Sequence, residues 1–133
     1  KEHHLERVFD IARIMPSVNQ VECHPWFQQK ALRDFCLQYD IAVEAWAPLL
    51  RARIFKEKTI KRLSDKYCKT PAQIILRWDL QEGIITIPKS THEERIEENF
   101  NIFDFELSEE DMECMRAIDK NKRFFRDPDG HGF

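Results

Sequence analysis

No stretch of this chain is apolar over the ~18 residues a membrane-spanning helix needs, and no signal-peptide pattern opens it. No membrane partner is expected. With 21 Lys and Arg against 24 Asp and Glu, the formal charge is −3, too small an excess of either sign to hold nucleic acid. The four cysteines (Cys23, Cys36, Cys68, Cys114) share no CxxC or CxxH spacing, so reduced thiols in a cytoplasmic protein are expected rather than disulfides. Glu22, Cys23 and His24 adjoin, but no second ligand cluster is spaced to join them. They read as a strand end, and no metal site is expected. Internal repeats and low-complexity linkers are absent. The first residue is Lys1, in mid-helix style, so a segment of a longer protein is expected.

What is present is ordinary for one globular domain: 42% apolar and 34% charged residues. Leu5, Val8, Phe9 and Ala12 recur at helical spacing and predict a helix over residues 1–15, closed before Pro16. Ser17 to Pro25, "SVNQVECHP", reads as a strand, and Leu32, Phe35, Cys36 and Tyr39 mark a helix. Ile41 to Leu49, "IAVEAWAPL", is a second strand, followed by a basic connection at 50–56. Ile60, Leu63 and Tyr67 define another helix. Thr70, Pro71 and Gln73 form a capping box that opens the next one, with Ile74, Ile75 and Trp78 on its buried face and Gly83 ending it. "IITIP" is the third strand. The helix after Thr91 carries Ile96, Phe100 and Phe103. Ser108, with Asp111 three residues on, opens a last helix with Met112, Met115 and Ile118 inside. Residues 120–133 read as an irregular tail, and "RDPDGHGF" at 126–133 as an exposed terminus.

Strands separated by helices imply crossovers and a parallel sheet. Three parallel strands make an incomplete domain, because both edges stay open to further pairing. A (β/α)₈ barrel takes roughly 250 residues. The expected fold is therefore α/β, three parallel strands with flanking helices, incomplete by itself.

In such folds chemistry collects at the carboxyl ends of strands. After the third strand, Thr91 is expected as N-cap with Glu94 as box partner, leaving first-turn N–H groups and the positive dipole end exposed. Lys89 before this turn and Arg95 on it add cationic donors suited to phosphate. His92 can stack on or hydrogen-bond the same ligand, and Glu98 and Asn99 can read a purine edge. Together they describe a phosphorylated adenosine, such as the 2′-phosphate end of NADPH. The competing reading is a solvated face on which Glu93, Glu94, Glu97 and Glu98 neutralise Lys89 and Arg95. Trp46, closing the second strand, offers a flat wall to a planar ring or is simply core. Gln20, on one face with Glu22, either reads a carboxamide or plugs a barrel interior.

The segments "VNQVECHP", "AWAPL", "KTPAQIILRW" and "IPKSTHEERIEENFNIFDFELSEEDM" resemble the C-terminal half of the aldo-keto reductase superfamily, from Lys1 to about Asp119. The short tail and Trp46 resemble the microbial members of the 2,5-diketo-gluconate reductase type. The resemblance implies the C-terminal part of a (β/α)₈ TIM barrel that reduces aldehydes and ketones with NADPH. By that likeness Gln20 holds the nicotinamide carboxamide and Trp46 stacks on the ring. Ala47, Pro48 and Leu49 run along the pyrophosphate. Lys89, Ser90, Thr91, His92 and Arg95 surround the 2′-phosphate, and Glu98 and Asn99 read the adenine. The family's catalytic Asp, Tyr, Lys and His belong to the first half of its barrel, so no catalytic residue is expected here. Tyr39 and Tyr67 fall in helical stretches that match no catalytic motif. Where many relatives carry glycines after Leu49, this chain has Leu50, Arg51, Ala52 and Arg53, which narrows the allowed backbone angles. The implied partners are a small carbonyl substrate and the missing N-terminal half of the barrel. A non-catalytic half-barrel, binding nucleotide or serving as an assembly module, is the alternative.

Overall fold

The computed structural model describes residues 1–130. Three parallel strands, β1 (Val18–Glu22), β2 (Ala42–Trp46) and β3 (Ile85–Thr86), lie in that order in one sheet. Six α-helices accompany them: α1 (Glu2–Phe9), α2 (Lys30–Gln38), α3 (Lys58–Tyr67), α4 (Pro71–Gln81), α5 (Glu93–Phe100) and α6 (Glu109–Arg116). The expected order of elements stands, with one addition. The connection at Leu50–Lys56 is a 3₁₀ segment interrupted by non-helical Arg51 and Ala52.

Three elements are shorter than expected. The first helix stops at Phe9 rather than running to residue 15. Ile11 and Ile14 are 85% and 82% exposed, so nothing rewards further helix there, and Pro16 biases Met15 toward extended backbone. β2 ends at Trp46 because Ala47 turns to a left-handed φ of 57°. β3 is two residues long, pairing with β2 only at Ile85 and Thr86.

The register explains which side chains go where. Val21 pairs with Ala45, and Ala45 with Thr86, on the face covered by helices. There Ala45, Ile60, Leu63, Ile74, Ile75, Trp78, Ile84 and Met115 make one buried core. Gln20, Glu44 and Ile85 are neighbours on the opposite face, which no helix covers. α4 carries most of the burial and begins as its capping box specifies: Thr70 Oγ1 accepts from Gln73 N, and Thr70 N donates to Gln73 Oε1. Ser108 likewise caps α6, accepting from Asp111 N. All four cysteines are free. No helix among the described residues is long and apolar enough to cross a membrane.

Candidate functional site

On the open face, the carboxyl ends of β1 and β2 bring Gln20, Glu44, Glu22 and Trp46 together. Gln20 Nε2 donates to Glu44 Oε1 at 2.5 Å, which leaves the Gln20 carbonyl oxygen as its uncommitted polar atom. Trp46 is 41% exposed, not core, and meets the edge of the Phe125 ring at 4.4 Å between centroids. The Arg51 guanidinium stands over the Phe125 ring, 5.7 Å from its centroid. Gln20, Glu22, Trp46, Arg123 and Phe125 line a groove of about 670 Å³.

Glu22 is the residue that sequence reasoning missed. It is buried, and its carboxylate accepts from Phe124 N at 2.7 Å and Phe125 N at 3.2 Å. His24 Nε2 donates to it at 3.2 Å, and Arg123 lies 3.5 Å away. Burial lowers the pKa of His24, with Glu22 pulling the other way, so the ring is a neutral packing group. Cys23 beside it is also sealed in, and burial pushes its thiol pKa up. The tail is thus irregular but not free of the body. Lys120 N donates to Trp26 O at 3.0 Å, Phe124 stacks on Trp26, and Phe125 reaches Trp46. Arg126, Asp127, Asp129 and Gly130 are exposed as expected, while Phe124 and Phe125 just ahead of them are held because Glu22 offers two acceptor oxygens to their backbone. Residues 131–133 of that expected tail lie outside the described residues. The only sequence signal for this anchor was an acidic residue at the strand end, on one face with Gln20.

The segment after β2 curls back on itself through left-handed residues. Ala47, Leu50, Arg51 and Ala52 have φ of 57°, 45°, 53° and 64°, and none is glycine. Such a conformation costs an L-residue roughly 1–2 kcal/mol. Buried Leu50 and Ile54 hold the curl against the core, while Pro48 is buried and Leu49 packs on the same cluster.

The third strand end leads through Pro88, Lys89 and Ser90 into α5. Here the capping expectation is corrected. His92, not Thr91, is the N-cap of α5, and it makes no side-chain cap bond. Ser90 Oγ takes the His92 N–H at 3.1 Å; this local turn competes with a Thr91 cap and starts the helix later. Lys89, Thr91, His92 and Arg95 are all exposed. The side chains of Lys89, His92 and Arg95 enter no ion pair with the neighbouring glutamates among the described residues.

α5 buries no side chain of its own. Polar bonds hold it instead. Thr70 Oγ1 donates to Glu98 Oε1 at 2.6 Å, and Gln73 Nε2 donates to the carbonyls of Glu98 and Asn101 at 3.1 and 3.0 Å. Arg77 Nη1 reaches the Ile102 carbonyl at 3.2 Å. Glu98 is therefore drawn toward α4, while Asn99 lines a separate apolar groove with Thr86, Pro88, Ile96 and Phe100.

A family model described as "Aldo/keto reductase family" matches residues 2–120. The chain is 49% identical over 130 residues to the 9,11-endoperoxide prostaglandin H2 reductase of Trypanosoma cruzi, covering 96% of this chain and 46% of that protein. It is 50% identical over 127 residues to the glyoxal reductase of Bacillus subtilis, with 96% and 46% covered. A solved structure of a Gox0644 mutant in complex with NADPH superposes with a TM-score of 0.95 at 41% identity, covering 100% of this chain and 49% of that one. The chain spans about half the length of the relatives it matches, and its three strands and their helices are the C-terminal part of a (β/α)₈ barrel. By sequence and by fold, the chain belongs to the aldo/keto reductase family.

Proposed function

We propose that this chain is the cofactor-gripping portion of an NADPH-dependent reductase that converts aldehydes or ketones to alcohols in the cytoplasm. The observation that carries the reading is the cationic collar at the entry to α5. Lys89, His92 and Arg95 are exposed and uncommitted, beside first-turn N–H groups that no side chain caps. Ser90 and Thr91 lie in the same turn. That donor set fits a phosphate, and the half-exposed Trp46 ring beside Gln20 fits a flat heterocycle with a carboxamide. In this reading Lys89, Ser90, Thr91, His92 and Arg95 hold the 2′-phosphate, Ala47, Pro48 and Leu49 run along the pyrophosphate, and Glu98 and Asn99 bound the adenine.

The bound dinucleotide supplies the hydride. This chain's residues supply binding energy and position. Trp46 fixes the plane of the ring, and Gln20 restricts rotation about the carboxamide. Phe125, docked through Glu22, screens one side of the groove from water. The proton donor comes from the other half of the barrel, with which the chain works as one unit. Exposed Val18 at the start of β1 with Ile14 in the loop before it, and Ile85 of β3 with Ile87 after it and Phe100 of α5, support that partnership as surfaces such a half would cover. No nucleic acid or membrane enters the reading.

A fluorescence titration of the chain with NADPH and NADH tests it. Arg95→Ala weakens NADPH by about tenfold or more, the loss of one charged hydrogen bond, and leaves NADH nearly unchanged. Equal losses for both would refute the 2′-phosphate assignment. Joined to an upstream half-barrel from a relative, the chain oxidises NADPH in the presence of a small aldehyde; binding without turnover would favour the non-catalytic module.

A further inference from the structure

A second cluster forms where the first helix meets the tail. His3 and His4 stand together in the first turn of α1, their ring centroids 4.1 Å apart. Both Nε2 atoms converge on a single carboxylate oxygen, Asp129 Oδ1, each at 2.9 Å. The other oxygen, Oδ2, holds the Lys1 ammonium, which also contacts Asp127 at 2.8 Å. One oxygen atom between two imidazoles is a crowded hydrogen-bond acceptor. It is also the ordinary layout of a metal centre, with two nitrogen ligands and one carboxylate oxygen in reach of one point. The three ligand atoms lie within 4.8 Å of one another, and all three side chains are at least partly exposed, so small rotations bring them to bonding distance.

We propose that His3, His4 and Asp129 form a site for a first-row divalent metal ion of the zinc type, with water completing the shell. Two imidazoles beside one carboxylate favour such an ion over magnesium or calcium, which take oxygen ligands. The positive end of α1 and the Lys1 ammonium, paired with Asp127 and with Asp129 Oδ2, oppose a cation there; Asp129 Oδ1, which faces both imidazoles, is the oxygen left to the ion. His4 and Pro128 line the same groove as Gln20 and Trp46. The ion therefore fastens the tail to α1 across the rim of the groove, beyond what Glu22 does at its floor. This inference does not depend on the cofactor reading.

Isothermal titration of the metal-stripped chain with zinc chloride tests it. One saturable site per chain is expected, weakened at least about tenfold in His4→Ala and in Asp129→Asn. Cys68→Ser, which removes the exposed thiol, leaves the affinity as it was. Cobalt(II) on the unmutated chain gives a readout independent of any variant's folding: d–d absorption without a thiolate charge-transfer band. A lack of saturable zinc binding, binding that survives in the His3→Ala/His4→Ala double variant, or a thiolate band would each overturn the assignment.

Discussion

The Thr70 hydroxyl donates to the Glu98 carboxylate across 2.6 Å, tying the first turn of α4 to the far end of α5. The same oxygen of Thr70 caps α4 by accepting from Gln73 N. One side chain thus starts a core helix and holds a helix that buries nothing. Thr70→Val should cost about 1 kcal/mol of stability through the lost cap. It should also raise amide hydrogen exchange across residues 93–100 more than in α4 or α6. Uniform exchange across the three helices would show that α5 is held by something else.

Buried Asp79 gives a pH dependence of definite sign. Neither of its carboxylate oxygens has a hydrogen-bond partner. Burial raises its pKa well above the ordinary 3.8, with the charge of Arg33 pulling down and that of Glu82 adding to the rise. A raised folded-state pKa means the fold prefers the protonated acid. The associated stability is full below the ordinary value and declines as pH rises toward the folded one. Asp79→Asn should therefore change little near pH 4 and raise the denaturation midpoint at about pH 8. An equal shift at both pH values would contradict the protonated state.

Ala52, exposed with φ 64° and ψ 4°, occupies a conformation that suits glycine. Ala52→Gly relieves the left-handed penalty but frees the unfolded chain, so a net gain of a few tenths to about 1 kcal/mol is expected. Thermal unfolding reads this directly. A loss of stability would mean that the Ala52 methyl makes a contact worth more than the backbone penalty.

Glu22 anchors the tail through two backbone N–H groups and Arg123. Glu22→Ala leaves those donors and the His24 ring without their acceptor, which should cost about 2–3 kcal/mol. The bonds after Arg123 and Arg126 should then become open to trypsin. Trp46, freed from Phe125, should shift its emission to the red. An unchanged cleavage pattern would mean that Trp26 and Phe124 suffice to dock the tail.

The same residues show how far a linear reading reaches. Thr70, Pro71 and Gln73 announced the start of α4 because a capping box closes within one turn of chain. Ser108 with Asp111 did so for α6. The alternation of helices and strands followed from periodicity in the same local way. Thr91 misled because Ser90 offered the backbone an equally local bond, and spacing cannot rank two neighbouring hydroxyls. Helix α1 was drawn too long because periodicity reports what could be buried, while Ile11 and Ile14 meet no surface among the described residues.

By itself, the sequence determined the elements, their order, the parallel sheet they imply and the cations gathered ahead of α5, since each depends on residues a few positions apart. Only the folded chain decided that Glu22 takes the backbone of Phe124, that Glu98 turns to Thr70 and that His3 and His4 share Asp129. Those pairs lie far apart along the chain. Their meeting depends on the path of the backbone through the sheet, which no local pattern records.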